Sequence, residues 1–66
     1  MSALTERQTD VVGLLARGLT VRHAAELLGL SEHTVKQHVS DARLRLGARN
    51  TAHMVALALH AKLIVP

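Results

Sequence analysis

Between Leu28 and Glu32 the chain carries Gly29-Leu30-Ser31, and these residues restrict its fold more than any others. Glycine takes the left-handed backbone conformation at no steric cost, so Gly29 can end one helix. Serine is among the best N-caps, so Ser31 can begin another two residues later. A stop and a start this close make two helices meet at a sharp angle, the pattern of a helix-turn-helix. The second helix is then held proud of the domain, with one face left without a neighbour.

Helical periodicity on either side of the turn extends this to an all-α chain of four helices and no strand, one domain over residues 1–66. Thr5 with Gln8 three positions on is a capping-box pattern, and Val11, Leu14 and Leu15 recur at helical spacing before Gly18, which predicts a helix over about 6–17. Thr20 caps a second helix over 21–28, whose Val21, Ala24, Ala25 and Leu28 form one apolar stripe. Leu30 is placed to pack on Val35 as a hydrophobic staple, and Val35, Val39, Ala42 and Leu46 mark the buried side of a third helix over 32–46. Gly47 ends that helix. Either Asn50 or Thr51 can cap a fourth, over about 51–62. The chain has no internal repeat, low-complexity tract or linker, and its single proline is the last residue.

A domain of 66 residues buries only about 60% of the surface its unfolded chain exposes, so its stability is marginal. There is no cysteine to supply a disulfide or a thiolate metal site, and oligomerisation is the remaining common support. No apolar run approaches the roughly 20 residues of a membrane span, and the amino terminus lacks a basic region followed by an apolar segment. A cytoplasmic protein without membrane contact is expected.

The formal charge of +3 is unevenly placed. Residues 1–32 hold Arg7, Arg17 and Arg22 against Glu6, Asp10, Glu26 and Glu32; residues 33–66 hold Lys36, Arg43, Arg45, Arg49 and Lys62 against Asp41 alone. The positive field therefore starts just past the turn, where it would steer an anionic partner. Aromatic residues are absent, which argues against the base-stacking platforms used for RNA and single strands.

At about 100° per residue from Val35, the side chains of His33, Gln37, Ser40 and Leu44 point away from the buried stripe of the third helix, and Lys36 and Arg43 border one edge. Lys36 has the chemistry to reach guanine or phosphate, Gln37 to pair with adenine through two hydrogen bonds, and Ser40 to contact either. Any surface helix turns polar residues outward; the turn and its cap tip the balance toward a helix that enters a DNA major groove. Leu44 is the misfit on this stripe, and is expected to pack under the start of helix four.

Helix four carries two apolar stripes, Ala52 with Val55 and Leu59, and Met54 with Leu57 and Ala61. The first is expected to cover the core. The second is then left as a dimer interface that pairs two recognition helices on a palindromic site, the alternative being that both stripes touch the domain's own core. The five histidines give no metal site, since His33 and His38 are five apart and His53 and His60 seven apart, and no cysteine or acidic cluster completes a ligand set. No cofactor is expected, and no enzyme: the serines serve better as cap and contact than as nucleophiles.

The chain resembles the LuxR/GerE-type helix-turn-helix regulators along nearly its whole length: Leu4-Thr5-Glu6-Arg7-Gln8 through Val11-Val12, Leu14-Leu15-Ala16-Arg17-Gly18-Leu19-Thr20, Ala25 with Leu28-Gly29-Leu30-Ser31-Glu32, Thr34-Val35-Lys36 with His38-Val39, and Leu46-Gly47-Ala48. The resemblance implies a four-helix bundle, helix three in the major groove, dimerisation through helix four, and transcriptional regulation of a bacterial type. It implies base contacts from Lys36, Gln37 and Ser40, and phosphate contacts from Thr20, Arg22, Ser31 and Thr34; His33 and Arg43 join this candidate set from their place on the helix. Departures from the family pattern are His23, where a glutamate usually closes a capping box, Arg43 and Leu44, which exchange polar and apolar roles, and Thr51, where a basic residue is common.

The leading expectation is a regulator reduced to its DNA-binding domain, with no receiver or ligand-sensing region. It would be governed by abundance or by a separate partner such as another regulator or RNA polymerase. A sigma-factor-like promoter-reading domain, which shares the Thr-Val-Lys turn but generally finishes near the recognition helix, and a small protein that blocks another regulator through Met54, Leu57 and Ala61 are the alternatives.

Overall fold

A computed structural model of the chain describes residues 3–65. Its four helices are α1 (Glu6–Ala16), α2 (Val21–Leu28), α3 (Glu32–Leu46) and α4 (Thr51–His60), with no strand among the described residues. Every helix opens on a side-chain cap that satisfies an otherwise orphaned amide. Thr5 Oγ1 accepts from the Gln8 N–H while Gln8 Oε1 accepts from the Thr5 N–H, each at 3.1 Å, a closed capping box. Thr20 Oγ1 accepts from the His23 N–H at 3.1 Å, Ser31 Oγ from the Thr34 N–H at 3.0 Å, and Asn50 Oδ1 from the His53 N–H at 2.8 Å. Of the two residues that could cap α4, Asn50 is the cap and Thr51 the first helical residue.

The helices also end alike. The N–H groups of Leu19, Leu30, Ala48 and Leu63 reach back to the carbonyls of Leu14, Ala25, Arg43 and Ala58 at 2.9–3.2 Å, the six-to-one bond of a Schellman motif. The residue before each donor is left-handed: Gly18, Gly29 and Gly47, then Lys62 at φ 59°. Lys62 thus does a glycine's work with a side chain attached, and it ends α4 at His60 rather than near residue 62. The bend folds the tail back over α1. Ile64 is left only 7% exposed, its Cγ2 4.0 Å from where a Cβ on Gly13 would stand.

The core has two lobes. Val11, Ala24, Ala25 and Val35 join α1, α2 and α3 beneath the turn, with Leu14, Val21, Leu28 and Leu30 packed around them. Leu4, Val12, Ala42, Ala48, Met54, Ala58 and Ile64 form the second lobe, which brings in α4 and the tail. Leu15 and Val39 touch both lobes and make the support of α3 continuous. Leu30 lies in the same lobe as Val35, as a staple requires. The buried set is rich in alanine, and its largest fully buried side chains are Met54, Val11, Val12 and Val35.

Helix four corrects the sequence reading in part: both stripes pack on the core, since Val55, Leu57 and Leu59 are all half-buried against the same lobe, and Met54 of the expected interface lies at its centre. Met54 and Ala58 are fully buried and Leu57 packs against the same lobe, so Met54 is a core residue and no part of an exposed interface. Ala61 is exposed, just past the end of the helix. The open side is instead Ala52 and Ala56, both exposed, flanked by half-buried Val55 and Leu59. Periodicity shows that two apolar faces exist; it does not say how each one meets the bundle, because that depends on the angle at which the Gly47-to-Asn50 loop delivers α4. Among the described residues no helix is long and apolar enough to cross a membrane.

Candidate nucleic-acid interface

The turn between α2 and α3 is built from backbone geometry that its residues prefer. Gly29 sits at φ 68°, ψ 31°, and Ser31 is extended at φ −74°, ψ 155° before the first turn of α3. The Ser31 hydroxyl works twice, accepting from the Thr34 N–H at 3.0 Å and donating to Thr34 Oγ1 at 2.9 Å. The Thr34 oxygen already takes the Ser31 proton, so it meets any further anion as a donor.

Along α3 the inner side is shut and the outer side open. Val35 and Ala42 are fully buried, while His33, Lys36, Gln37 and Ser40 are all exposed. The fold therefore brings these four to one hydrophilic flank. Thr20, Arg22 and Ser31 are exposed at the amino ends of α2 and α3, and Thr34 is half-buried beside Ser31. Arg22 Nε lies 3.6 Å from Glu26 Oε1 one turn along α2, with both side chains mostly exposed. Such a pair is worth at most about 1 kcal/mol and yields readily to a phosphate.

Two residues of the expected flank behave differently. Arg43 is half-buried, and its Nη1 donates to the Ala48 carbonyl at 3.2 Å. It ties the end of α3 to the following loop and stands apart from the open flank, because its position on the helix borders the packed side. Leu44 does not pack beneath the start of α4; it is 66% exposed and lies on the outer side. The exchange of apolar and basic character at 43 and 44 is thus real in three dimensions, with the arginine stem turned inward.

Sequence reasoning missed His53. Its Nδ1 accepts from the Arg49 N–H at 3.0 Å while its own N–H donates to Asn50. His53 thus ties down the residue before the cap, one position outside the N–H that Gln8 takes at the start of α1. Sequence patterns of helix starts look for Glu or Gln bonded to the cap residue itself, so this contact carries no familiar signal.

An open groove of about 350 Å³ lies between α1 and the tail, lined by Thr9, Asp10, Gly13, Leu14, Arg17 and residues 62–65; it borders neither α2 nor α3. Among the described residues no group of three His, Cys, Asp or Glu is placed to hold a metal ion.

A helix lifted by a three-residue turn, packed on one side and hydrophilic on the other, defines a helix-turn-helix DNA-binding domain. The chain belongs to the luxR family of bacterial regulatory proteins, whose family model matches residues 2–58. This is a family of DNA-binding transcription regulators, not of enzymes. The transcriptional activator BjaR1 of Bradyrhizobium diazoefficiens is 35% identical over 63 residues, covering 96% of this chain and 26% of its own length. The nitrate/nitrite response regulator NarP of Escherichia coli K12 is 40% identical over 58 residues, 88% of this chain and 27% of its own. The chain thus spans about a quarter of the length of these curated relatives. The structure of the transcription factor GerE superposes with a TM-score of 0.94 at 26% identity, covering 98% of this chain and 97% of that one. VqmA of Vibrio cholerae, described as a dimer in the absence of its target DNA and in the context of LuxR-type receptors, gives a TM-score of 0.87 at 31% identity, covering 96% of this chain and 29% of its own.

Proposed function

We propose that this domain reads a specific double-stranded DNA site as a homodimer and regulates transcription from it in the cytoplasm. Lys36, Gln37 and Ser40 of α3 contact base edges in the major groove; Thr20, Arg22, Ser31, His33 and Thr34 hold the adjoining phosphates. The observation that carries this reading is the contrast across α3, where Val35 is fully buried and Lys36, Gln37 and Ser40 are exposed. Arg43 is assigned to the fold and not to the DNA.

Two copies pair through the open side of α4, made by Ala52, Val55, Ala56 and Leu59. The small exposed residues Ala52 and Ala56 let two helices approach closely, and Val55 and Leu59, partly packed on the core, border the contact with what remains open of their side chains. The dimeric state of VqmA supports a paired arrangement here. A two-fold axis between the α4 helices sets two α3 helices against a palindromic site.

Selection from a pool of random duplexes tests this. A two-fold symmetric consensus is expected, bound more weakly as salt rises because phosphate contacts release counterions. Recovery of sequences with no common motif, or binding indifferent to salt, contradicts the reading.

A further inference from the structure

We propose that Leu44 is a specificity-determining residue that reads the C5-methyl group of a thymine, an inference that rests on α3 lying in the major groove as above. Leu44 falls at i+11 from His33, i+7 from Gln37 and i+4 from Ser40, so it continues the outer stripe by one further turn of helix. It is 66% exposed, one of only three large hydrophobic side chains so exposed among the described residues. The other two, Leu27 and Val65, lie on α2 and in the tail, away from this stripe. An isobutyl group at the end of a flank otherwise made of hydrogen-bonding side chains gains nothing from water.

The major groove offers one apolar feature, the thymine methyl, and it is the partner such a group can recognise there. Seven residues separate Leu44 from Gln37, about 10 Å along the helix axis, so the two side chains meet different base pairs. The Arg43 stem is turned inward to Ala48 and leaves Leu44 at the outer surface, with the exposed Arg45 about 100° further round the helix.

Replacing single thymines of the selected duplex by deoxyuridine removes the methyl group and leaves every hydrogen bond in place. Wild-type protein is expected to bind about fourfold more weakly at one substituted position in each half-site, the effect of one methyl contact. That position is distinct from the one whose identity Gln37→Ala relaxes. Leu44→Ala is expected to keep its fold, checked by far-ultraviolet circular dichroism, and to bind the thymine and uracil duplexes equally. If base preference at the Gln37 position persists but no uracil position is sensed through Leu44, the inference is overturned and the DNA-reading assignment stands. Equal loss for wild type and Leu44→Ala also overturns it, because another residue then reads the methyl. Loss of all base preference in the wild type sinks the groove assignment and this inference with it.

Discussion

Met54→Ala distinguishes the packing of α4 found here from the alternative that its sequence suggests. Met54 is fully buried and is the largest of the fully buried side chains. It sits in a lobe whose other members include Ala42, Ala48 and Ala58, which have nothing beyond Cβ with which to fill a void. Truncation of a buried Met costs about 2–5 kcal/mol, and poor relaxation puts this site in the upper half of that range, about 3–5 kcal/mol. At about 0.05–0.15 kcal/mol per residue, a domain this small has about 3–10 kcal/mol in total. One substitution then removes from about a third of its stability to all of it. Since the chain has no Trp or Tyr, urea unfolding is followed by far-ultraviolet circular dichroism, at several protein concentrations so that dimer formation and folding separate. Ala61→Ser is the control, expected to cost less than about 0.5 kcal/mol because Ala61 is exposed. A Met54→Ala protein that unfolds at the wild-type urea midpoint but sediments as a monomer would refute the packing and return Met54 to a subunit interface.

Ala56→Asp on the exposed side of α4 is expected to leave each copy folded, abolish the dimer in sedimentation and weaken binding to a two-fold symmetric duplex far more than to a half-site; an unchanged sedimentation coefficient removes this face from the interface. His53→Ala is expected to cost about 1 kcal/mol by freeing the Arg49 N–H at the start of α4, and His53→Gln, whose side-chain oxygen also accepts, to restore most of it; equal loss in both variants in urea unfolding contradicts this role. Lys62→Gly is expected to stabilise by about 1 kcal/mol, because the left-handed φ of 59° costs nothing at glycine. A lower melting temperature for that variant would show that the Lys62 side chain contributes more than its backbone strain costs.

The turn and the three helices around it were legible because each rests on local chemistry. Thr5, Thr20 and Ser31 cap where hydroxyls followed by helical spacing said they would, and Gly29 and Gly47 are left-handed. The inner stripe of α3 was readable for the same reason, since Val35 and Ala42 recur at helical spacing. What depended on tertiary arrangement was not readable. The facing of α4 turns on how the loop after Gly47 enters the helix, and two apolar stripes at similar strength leave that open. Ile64 gave no sign of its burial, because the bend that carries it over Gly13 is made by a lysine in a conformation that lysine rarely adopts. Arg43 and Leu44 were ambiguous by spacing alone; the bond from the guanidinium to Ala48 decides which turns inward. His53 was hidden because its ring nitrogen accepts from the residue before the cap, outside the pattern by which helix starts are sought.

The proposed function rests on the open flank of α3 meeting base edges. Its most direct test is a competition titration at one fixed salt concentration, in which wild type, Lys36→Ala and Gln37→Ala are each measured on the selected duplex and on a scrambled duplex of equal length. The expected result is a loss of about 1–3 kcal/mol on the selected duplex for each variant, with relaxed preference at one base pair per half-site and little change in the Gln37→Ala titration of the scrambled duplex. Equal losses for Gln37→Ala on both duplexes, or none on either, would contradict it.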